Sequence, residues 1–270
     1  MRPVAIVTGG SSGIGRATAL RLADDGFDVG ITFNRGQARA NEVARAIEAL
    51  GVRAAIAHQN LSNPVEAPEA INSLINQLGR VDAFVSNAGI NHRRDFLEMP
   101  LDEWMRVLNV NLTGSFLSTQ VAAKYMVSHG IAGRIVNVTS VLDREVLEGG
   151  SAYCSSKAAL RQLTRVMALE LARYKIRVNG VAPGETATPM NFQTEVDAAD
   201  VARPVTPMGR PGYSEEIAST ISFLLSEGSG YITGEVLLVD GGLALHGGPQ
   251  SLQKTVGKPA PLQTKAAAVT

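Results

Sequence analysis

A glycine-rich turn separates the first apolar run of the chain from the first amphipathic segment. Residues 4–8 are predicted to form a strand and residues 14–25 a helix, and the turn between them reads Thr8-Gly9-Gly10-Ser11-Ser12-Gly13-Ile14-Gly15. Glycine at such positions permits a tight turn, close approach of the backbone to a pyrophosphate and close helix–strand packing, while the helix N-terminus attracts anions. The pattern predicts a dinucleotide site. Its expected contacts are Gly9, Ser11, Ser12, Gly13, Ile14 and Gly15.

Short β-branched runs alternate with longer helical patterns along the rest of the chain. The strands are predicted at residues 4–8, 28–33, 53–57, 81–85, 134–139, 176–181 and 235–239. The helices are predicted at residues 14–25, 37–50, 64–78, 101–128, 151–174 and 214–226. This alternation is typical of βαβ units with a parallel sheet. We therefore expect a single α/β domain, a doubly wound Rossmann-type sheet of about seven strands with helices on both faces.

The domain is expected to span residues 1–246, followed by a polar tail at residues 247–270. Lysine plus arginine equals aspartate plus glutamate at 25 each, which disfavours binding to nucleic acid through phosphate neutralisation. The single cysteine, Cys154, allows no intrachain disulfide and is expected to be a packed small residue. No apolar run approaches 18 residues, so we expect no membrane span. We also expect a cytoplasmic protein and no metal site.

The tips of the next strands are expected to hold the rest of the cofactor, because ligands of open α/β sheets bind beyond the carboxyl ends of strands. The tripeptide Phe33-Asn34-Arg35 ends the second strand without an acidic residue, which favours NADP over NAD through Arg35 and leaves NAD possible. The pair Asn60-Leu61 is expected beside the adenine. The tripeptide Asn87-Ala88-Gly89 is expected beside the nicotinamide ribose.

Tyr153 and Lys157 are four residues apart in a predicted helix and therefore share one face. A nearby ammonium favours the phenolate, so Lys157 is expected to lower the pKa of Tyr153 and make it an acid–base group. Ser140 ends the fifth predicted strand at the same edge as the cofactor, where its hydroxyl can hold a substrate oxygen.

In residues 3–245 the chain resembles the classical short-chain dehydrogenase/reductase family. The matching features are Thr8-Gly9-x-x-x-Gly13-x-Gly15, Asn87-Ala88-Gly89, Asn111, Ser140, Tyr153-x-x-x-Lys157 and Pro183-Gly184. The resemblance implies a catalytic tetrad of Asn111, Ser140, Tyr153 and Lys157. It implies that Asn111 anchors a water, that Lys157 holds the nicotinamide ribose, and that Pro183, Gly184 and Thr188 contact the cofactor.

Departures from the family pattern occur at Ser86, where asparagine is usual, and at Asn60, where aspartate is usual. Both substitutions retain hydrogen-bonding capacity, so altered affinity is expected and not lost binding. The resemblance also implies a homo-oligomer, a tetramer or dimer, packed through the helices predicted at residues 101–128 and 151–174.

The resemblance further implies reversible hydride transfer between a nicotinamide and a carbonyl or secondary alcohol of a small-molecule substrate. Substrate choice is assigned to residues 90–98, 141–150 and 185–212. Polar residues in the first two stretches favour a sugar or polyol; they are Asn91, His92, Arg93, Arg94, Asp95, Asp143, Arg144 and Glu145. Two alternatives stay open: a 3-oxoacyl-thioester reductase, and a non-catalytic dinucleotide-binding scaffold.

Overall fold

Seven parallel strands form one sheet in the order β3-β2-β1-β4-β5-β6-β7. A computed structural model describes residues 2–191 and 197–245 of the chain. The predicted tail at residues 247–270 lies outside these residues, as does part of the loop at 185–212. The strands are β1 Val4–Val7, β2 Asp28–Phe33, β3 Ala54–His58, β4 Ala83–Ser86, β5 Arg134–Val138, β6 Arg177–Pro183 and β7 Val236–Val239.

Helices cover both faces of the sheet. They are α1 Gly13–Asp24, α2 Gln37–Ala49, α3 Ala67–Leu78, α4 Leu101–Leu108, α5 Gly114–Ser128, α6 Ser151–Leu171 and α7 Ser214–Leu225. Residues of α1, α2 and α7 pack in one core cluster, and residues of α3, α5 and α6 pack in a second. The prediction of a doubly wound sheet is confirmed. No helix within 2–191 or 197–245 has the length and apolarity needed to cross a membrane.

The first strand shows why this sheet needs cover on both sides. All four of its residues are buried, with Ala5 and Val7 in one core cluster and Val4 and Ile6 in the other. Side chains alternate between the faces of a strand, so a strand that is apolar at every position must be buried on both. The N-terminal apolar run is therefore a central strand.

The segment predicted as one helix at residues 101–128 contains a wider turn. A π-helical segment, Asn109–Thr113, joins α4 to α5, and the Gly114 N–H donates to the Asn109 carbonyl. Such widened turns are frequent at functional sites. The insertion changes the direction of the side chains that follow α4, and it places Asn111 in the interior.

The strand order reverses between β1 and β4, which are hydrogen-bonded to each other. Strands β2 and β3 lie beyond β1, and strands β5, β6 and β7 lie beyond β4. Loops on the two sides of this point diverge and leave a crevice at the carboxyl edge of the sheet. The glycine turn follows β1, and the residues from Asn87 onward follow β4. Both motifs therefore face the crevice.

Candidate active site

A cavity of about 1140 Å³ opens at this carboxyl edge. Ordinary ligand pockets measure roughly 300–1,000 Å³, so the space suits a ligand as large as a dinucleotide together with a small substrate. Most of the residues predicted for cofactor and catalysis line it. They are Gly9, Ser11, Ser12, Gly13, Ile14, Gly15, Asn34, Arg35, Leu61, Asn87, Ala88, Gly89, Ser140, Tyr153, Lys157, Pro183, Gly184 and Thr188.

The glycine turn has the geometry that a pyrophosphate requires. Gly9 and Gly13 have φ values of +66° and +51°, a region that other residues rarely occupy. A Cβ on Gly15 would lie 2.3 Å from the Gly9 carbonyl oxygen, so only glycine fits there. Ser12, at the start of α1, makes no side-chain capping bond. The N–H groups of the first helical turn are therefore available to an anion.

The loop after β6 approaches the same turn from the other side. A Cβ on Gly13 would lie 3.3 Å from the Thr188 side chain, and one on Gly184 would lie 2.8 Å from the Asp240 backbone. The loop is thus held between the end of β7 and the glycine turn. Pro183, Gly184 and Thr188 are brought to the cavity as the family resemblance implies.

Thr8 joins the tips of β1 and β4, a function that sequence reasoning did not assign to it. Its Oγ1 accepts hydrogen bonds from the backbone N–H groups of Asn87 at 2.9 Å and Ala88 at 3.0 Å. The Asn87 Nδ2 donates in return to the Thr8 carbonyl at 2.9 Å. A hydroxyl residue at the end of the first strand, directly before Gly9, was the available signal.

The residues predicted to bind the cofactor at the tip of β2 line the cavity, but only one of the two predicted after β3 does. Asn34 and Arg35 are exposed and line the cavity, as does Arg39, which was not predicted. Leu61 is buried and lines the cavity too. Asn60 is exposed and is not among the lining residues; its Oδ1 accepts from the Ser62 N–H at 3.1 Å. The structure therefore does not bring Asn60 to the adenine position, because its side chain closes a local turn.

Tyr153, Lys157 and Ser140 are brought together where β5 ends and α6 begins. The Ser140 hydroxyl lies near enough to the Tyr153 phenol to lower the pKa of the phenol. The Lys157 Nζ lies 5.8 Å from the centre of the Tyr153 ring and donates to the Val138 carbonyl at 2.9 Å. The Ser140 Oγ accepts from the Leu142 N–H at 3.2 Å, which fixes the serine at the start of its turn. The predicted shared helix face is confirmed.

The predicted direction of the Tyr153 pKa is wrong for this structure. Burial raises the pKa of Tyr153 above its ordinary value, and the nearby Ser140 hydroxyl opposes this only in part. Burial also lowers the pKa of Lys157 to about 8. The ammonium is directed to the Val138 carbonyl, and desolvation of the phenol outweighs any benefit from the lysine charge.

Asn111 lies behind the cavity and does not line it. Its Oδ1 accepts from the Ile90 N–H at 2.8 Å, and its Nδ2 donates to the Ile90 carbonyl at 3.0 Å and to the Ser156 Oγ at 3.1 Å. It therefore ties the loop after β4 to α6, which carries Tyr153 and Lys157. No local sequence pattern predicts this position, because the π-helical segment that turns Asn111 inward has no sequence signature. Only the family resemblance indicated it.

The stretches assigned to the substrate present different surfaces. From residues 90–98 the cavity is lined by Ile90, Asn91, His92 and Arg93. His92 Nε2 lies 2.5 Å from a carboxylate oxygen of Glu103, which attaches this loop to α4. The first stretch thus contributes polar groups, as expected.

The second stretch contributes apolar side chains, and the expectation of polar groups there is wrong. Its lining residues are Val141, Leu142 and Leu147. The Asp143 carboxylate is completely buried and pairs with the Arg144 Nε at 2.9 Å. The Asp143 charge lies inside the protein, because this residue turns inward in the short 3-10 helix Val141–Asp143. Arg144 and Glu145 are exposed and do not line the cavity.

Comparisons with known proteins agree with this arrangement. The family model described as enoyl-(acyl carrier protein) reductase matches residues 9–244. The uncharacterized oxidoreductase YohF of Escherichia coli (strain K12) is 47% identical over 245 residues, covering 91% of this chain and 97% of that protein. L-rhamnose 1-dehydrogenase (NAD(P)(+)) of Sphingomonas sp. (strain SKA58) is 38% identical over 243 residues, 88% of this chain and 94% of that protein.

Among solved structures, that of acetoin dehydrogenase YohF from Salmonella typhimurium superimposes with a TM-score of 0.85. It is 45% identical and covers 91% of this chain and 98% of that one. The residues matched by the family model include the glycine turn from Gly9 onward and α6. The chain belongs to the short-chain dehydrogenase/reductase family, and it is an oxidoreductase that acts on alcohol or carbonyl groups with a nicotinamide cofactor.

Proposed function

We propose that this enzyme interconverts a small vicinal hydroxyketone, of the acetoin type, with the corresponding diketone or diol. The observation that carries this proposal is the position of the Ser140 and Tyr153 hydroxyl pair beside apolar lining. Val141 and Leu142 directly follow Ser140, and Leu147 lies shortly before α6. Adjacent oxygens of the substrate meet the hydroxyl pair, while methyl groups contact the apolar side. The similarity to a protein described as an acetoin dehydrogenase supports the same class.

In the proposed mechanism Tyr153 exchanges the proton with the substrate oxygen, and Ser140 holds that oxygen by a hydrogen bond. A bound nicotinamide would supply the hydride in reduction and accept it in oxidation. In oxidation, the C–H bond breaks with its electron pair, and the hydroxyl proton passes to the phenolate form of Tyr153, which requires that the phenol first lose its own proton to solvent. Because burial raises the pKa of Tyr153, the neutral phenol is available at neutral pH to protonate a carbonyl oxygen.

Lys157 and Asn111 support this proton exchange. Lys157 directs an ammonium toward the space between Tyr153 and the β5 tip, where the nicotinamide ribose would be held. Asn111 fixes the Ile90 backbone and, through Ser156, the first turns of α6. Its side chain already has protein partners for both its oxygen and its nitrogen. We therefore assign Asn111 a positioning role.

NADP(H) is the proposed cofactor, with NAD(H) as the weaker ligand. Arg35 and Arg39 line the cavity beyond β2, and the tip of β2 carries no carboxylate to bind a ribose 2′-hydroxyl. A guanidinium pairs with a phosphate through charge-assisted hydrogen bonds. The similarity to a dehydrogenase described as using NAD(P)(+) agrees with use of either cofactor.

We also infer that the enzyme is a homo-oligomer, a dimer or tetramer. Large apolar side chains are exposed on α4, α5 and α6, the helices within the two stretches that were expected to pack between subunits. They are Leu101, Met105, Phe116, Val166 and Leu169. Scattered apolar residues are ordinary on a surface, but several on adjoining helices favour burial against a second copy.

A spectrophotometric screen tests the function. Consumption of NADPH or NADH would be followed with acetoin, diacetyl and 3-oxoacyl thioesters, and reduction of NADP⁺ or NAD⁺ with butanediol, rhamnose and polyols. We expect the highest kcat/KM with the hydroxyketone or diketone. Preferred turnover of a thioester or a sugar would contradict the proposal.

The matched variant is Tyr153→Phe, which removes one hydroxyl and keeps the ring. We expect unchanged binding of NADPH, measured by fluorescence, and a loss of turnover of about 10²–10⁴-fold, since that is what a general acid contributes. Turnover close to that of the unaltered enzyme would remove Tyr153 from the mechanism.

A further inference from the structure

One buried carboxylate near Ser140 takes no part in the proposed proton exchange. Asp143 lies three residues after Ser140, and its side chain has no exposed surface. Burying a charge costs free energy unless the charge is paired, so the Asp143 carboxylate needs partners inside the protein. The partners come from three different elements.

The contacts of Asp143 surround it from the strand, the turn and the helix. Thr139, directly after β5, donates from Oγ1 to the Asp143 Oδ2 at 2.8 Å. Arg144, in the same turn, pairs through Nε at 2.9 Å, and Arg161 of α6 places its Nε 3.9 Å from the Oδ1. These two arginines, together with Lys157, are the charged groups that face the carboxylate from the described elements.

Arg161 lies one helical turn after Lys157, so both cations point toward the same side of α6. Lys157 is almost fully buried and, within residues 2–191 and 197–245, makes no ion pair of its own. Its pKa falls to about 8 because of burial, and the charge that acts in the opposite direction is that of Asp143. The Lys157 Nζ donates to the Val138 carbonyl at 2.9 Å, and Thr139, the next residue, donates to Asp143 at 2.8 Å. The two charges are thus held by adjacent residues at the end of β5, and the carboxylate acts on the lysine through space.

We propose that Asp143 is a positioning residue that keeps Lys157 protonated, and that the Arg161 charge weakens this effect of Asp143. This inference rests on the proposed function in one respect, that catalysis requires the ammonium form of Lys157. The charge pattern itself stands without that requirement. Asp143 stabilises the lysine charge, and Arg161, a cation on the same side, weakens that effect.

The test is the titration of Lys157 in the full chain without cofactor or substrate. Lysine labelled with ¹³C at Cε reports protonation by its chemical shift, and the signals are few because lysine is rare in this chain. The lysines are Lys124, Lys157, Lys175, Lys254, Lys258 and Lys265. The Lys157 signal is assigned by its loss in Lys157→Met. The unaltered protein should titrate near pH 8.

Two variants should move this midpoint in opposite directions. Asp143→Asn retains the shape and an oxygen for Thr139 but removes the charge, and we expect the midpoint to fall by about one unit. Arg161→Gln removes a half-exposed cation and should raise the midpoint by about half a unit. Arg165→Gln, an exposed arginine one turn further along α6 and bonded to Gln162, is the matched control and should leave it unchanged.

The fall of the midpoint in Asp143→Asn is the deciding result, because Arg161→Gln would also raise the midpoint by removing direct repulsion between Arg161 and Lys157. An unmoved midpoint in Asp143→Asn, or a rise, would overturn the proposal. If Asp143→Asn does not fold, Asp143→Ser, which also removes the charge, takes its place, and an unmoved midpoint there would overturn the proposal. Activity is measured second: the alkaline limb of kcat/KM should follow the midpoint. Absence of turnover with every hydroxyketone would count against the proposed function and leave the titration result intact.

Discussion

At the scale of single residues, burial decides what each polar group near the cavity can do. Tyr153 and Lys157 have the sequence positions expected of an acid–base pair, yet burial raises the pKa of the phenol and lowers that of the ammonium. Burial shifts each group toward its neutral form, which is the effect of removing a charge from water. At neutral pH the phenol is therefore neutral, whereas Lys157, whose pKa is about 8, is still mostly an ammonium.

Arg35 is the residue on which cofactor choice is predicted to depend. We expect Arg35→Ala to raise the KM for NADPH about 10- to 100-fold, because a charge-assisted hydrogen bond to phosphate is lost. The KM for NADH should change little, since NADH lacks that phosphate. Steady-state kinetics with both cofactors measure this, and Arg45→Ala, an exposed arginine of α2 outside the cavity, is the control. Equal losses with both cofactors would show that Arg35 does not read the phosphate.

At the scale of elements, the strand–turn–helix unit of β1 and α1 depends on close backbone contact. The Gly15 position faces the Gly9 carbonyl and the Asn87 amide, which a side chain would displace. The π-helical segment between α4 and α5 is the second such element, because it turns Asn111 toward the loop after β4. Both elements position the site without contributing a reacting group.

We predict that Gly15→Ala lowers both stability and cofactor affinity. The new Cβ would lie 2.3 Å from the Gly9 oxygen and 2.5 Å from the Asn87 Nδ2, so the turn must shift. Overpacking of this kind costs about 1–3 kcal/mol, measurable by urea unfolding, and calorimetry should show weaker NADPH binding. Gly228→Ala is the control, because a Cβ there meets its nearest atom at 3.4 Å. Unchanged cofactor affinity in Gly15→Ala would argue against phosphate binding at this turn.

At the scale of the whole molecule, two core clusters on opposite faces hold the sheet, and loops at its carboxyl edge enclose the cavity. The outer faces of α4, α5 and α6 belong to neither cluster at their exposed apolar positions. Leu169 is 82% exposed near the end of α6. Burying such side chains against another copy removes apolar area from water, which is favourable at about 25 cal/mol per Å².

We predict that light scattering after size-exclusion chromatography gives two or four chain masses. Leu169→Glu should reduce that mass, because an uncompensated carboxylate would be buried at the contact. The control is Val65→Glu, since Val65 is similarly exposed, at 80%, but lies before α3 on a different part of the surface. A single chain mass for the unaltered protein would refute the oligomer.

The sequence alone was sufficient for the order of strands and helices and for the chemistry at the strand ends. Apolar runs with two-residue alternation and helical periodicity are local signals, and the glycine turn, Ser140 and the Tyr153–Lys157 spacing are local too. The location of these groups at one cavity followed from a rule of parallel sheets, and the structure agrees. Asn111 was identified through the family resemblance alone.

Only the tertiary structure decided how the side chains are used. It buried Asp143 among Thr139, Arg144 and Arg161, kept Asn60 out of the cavity, and reversed the expected shift of the Tyr153 pKa. Each of these outcomes depends on which distant residues come into contact and how much water they exclude. Solvation and charge interactions are set by three-dimensional neighbours, which a local pattern does not contain.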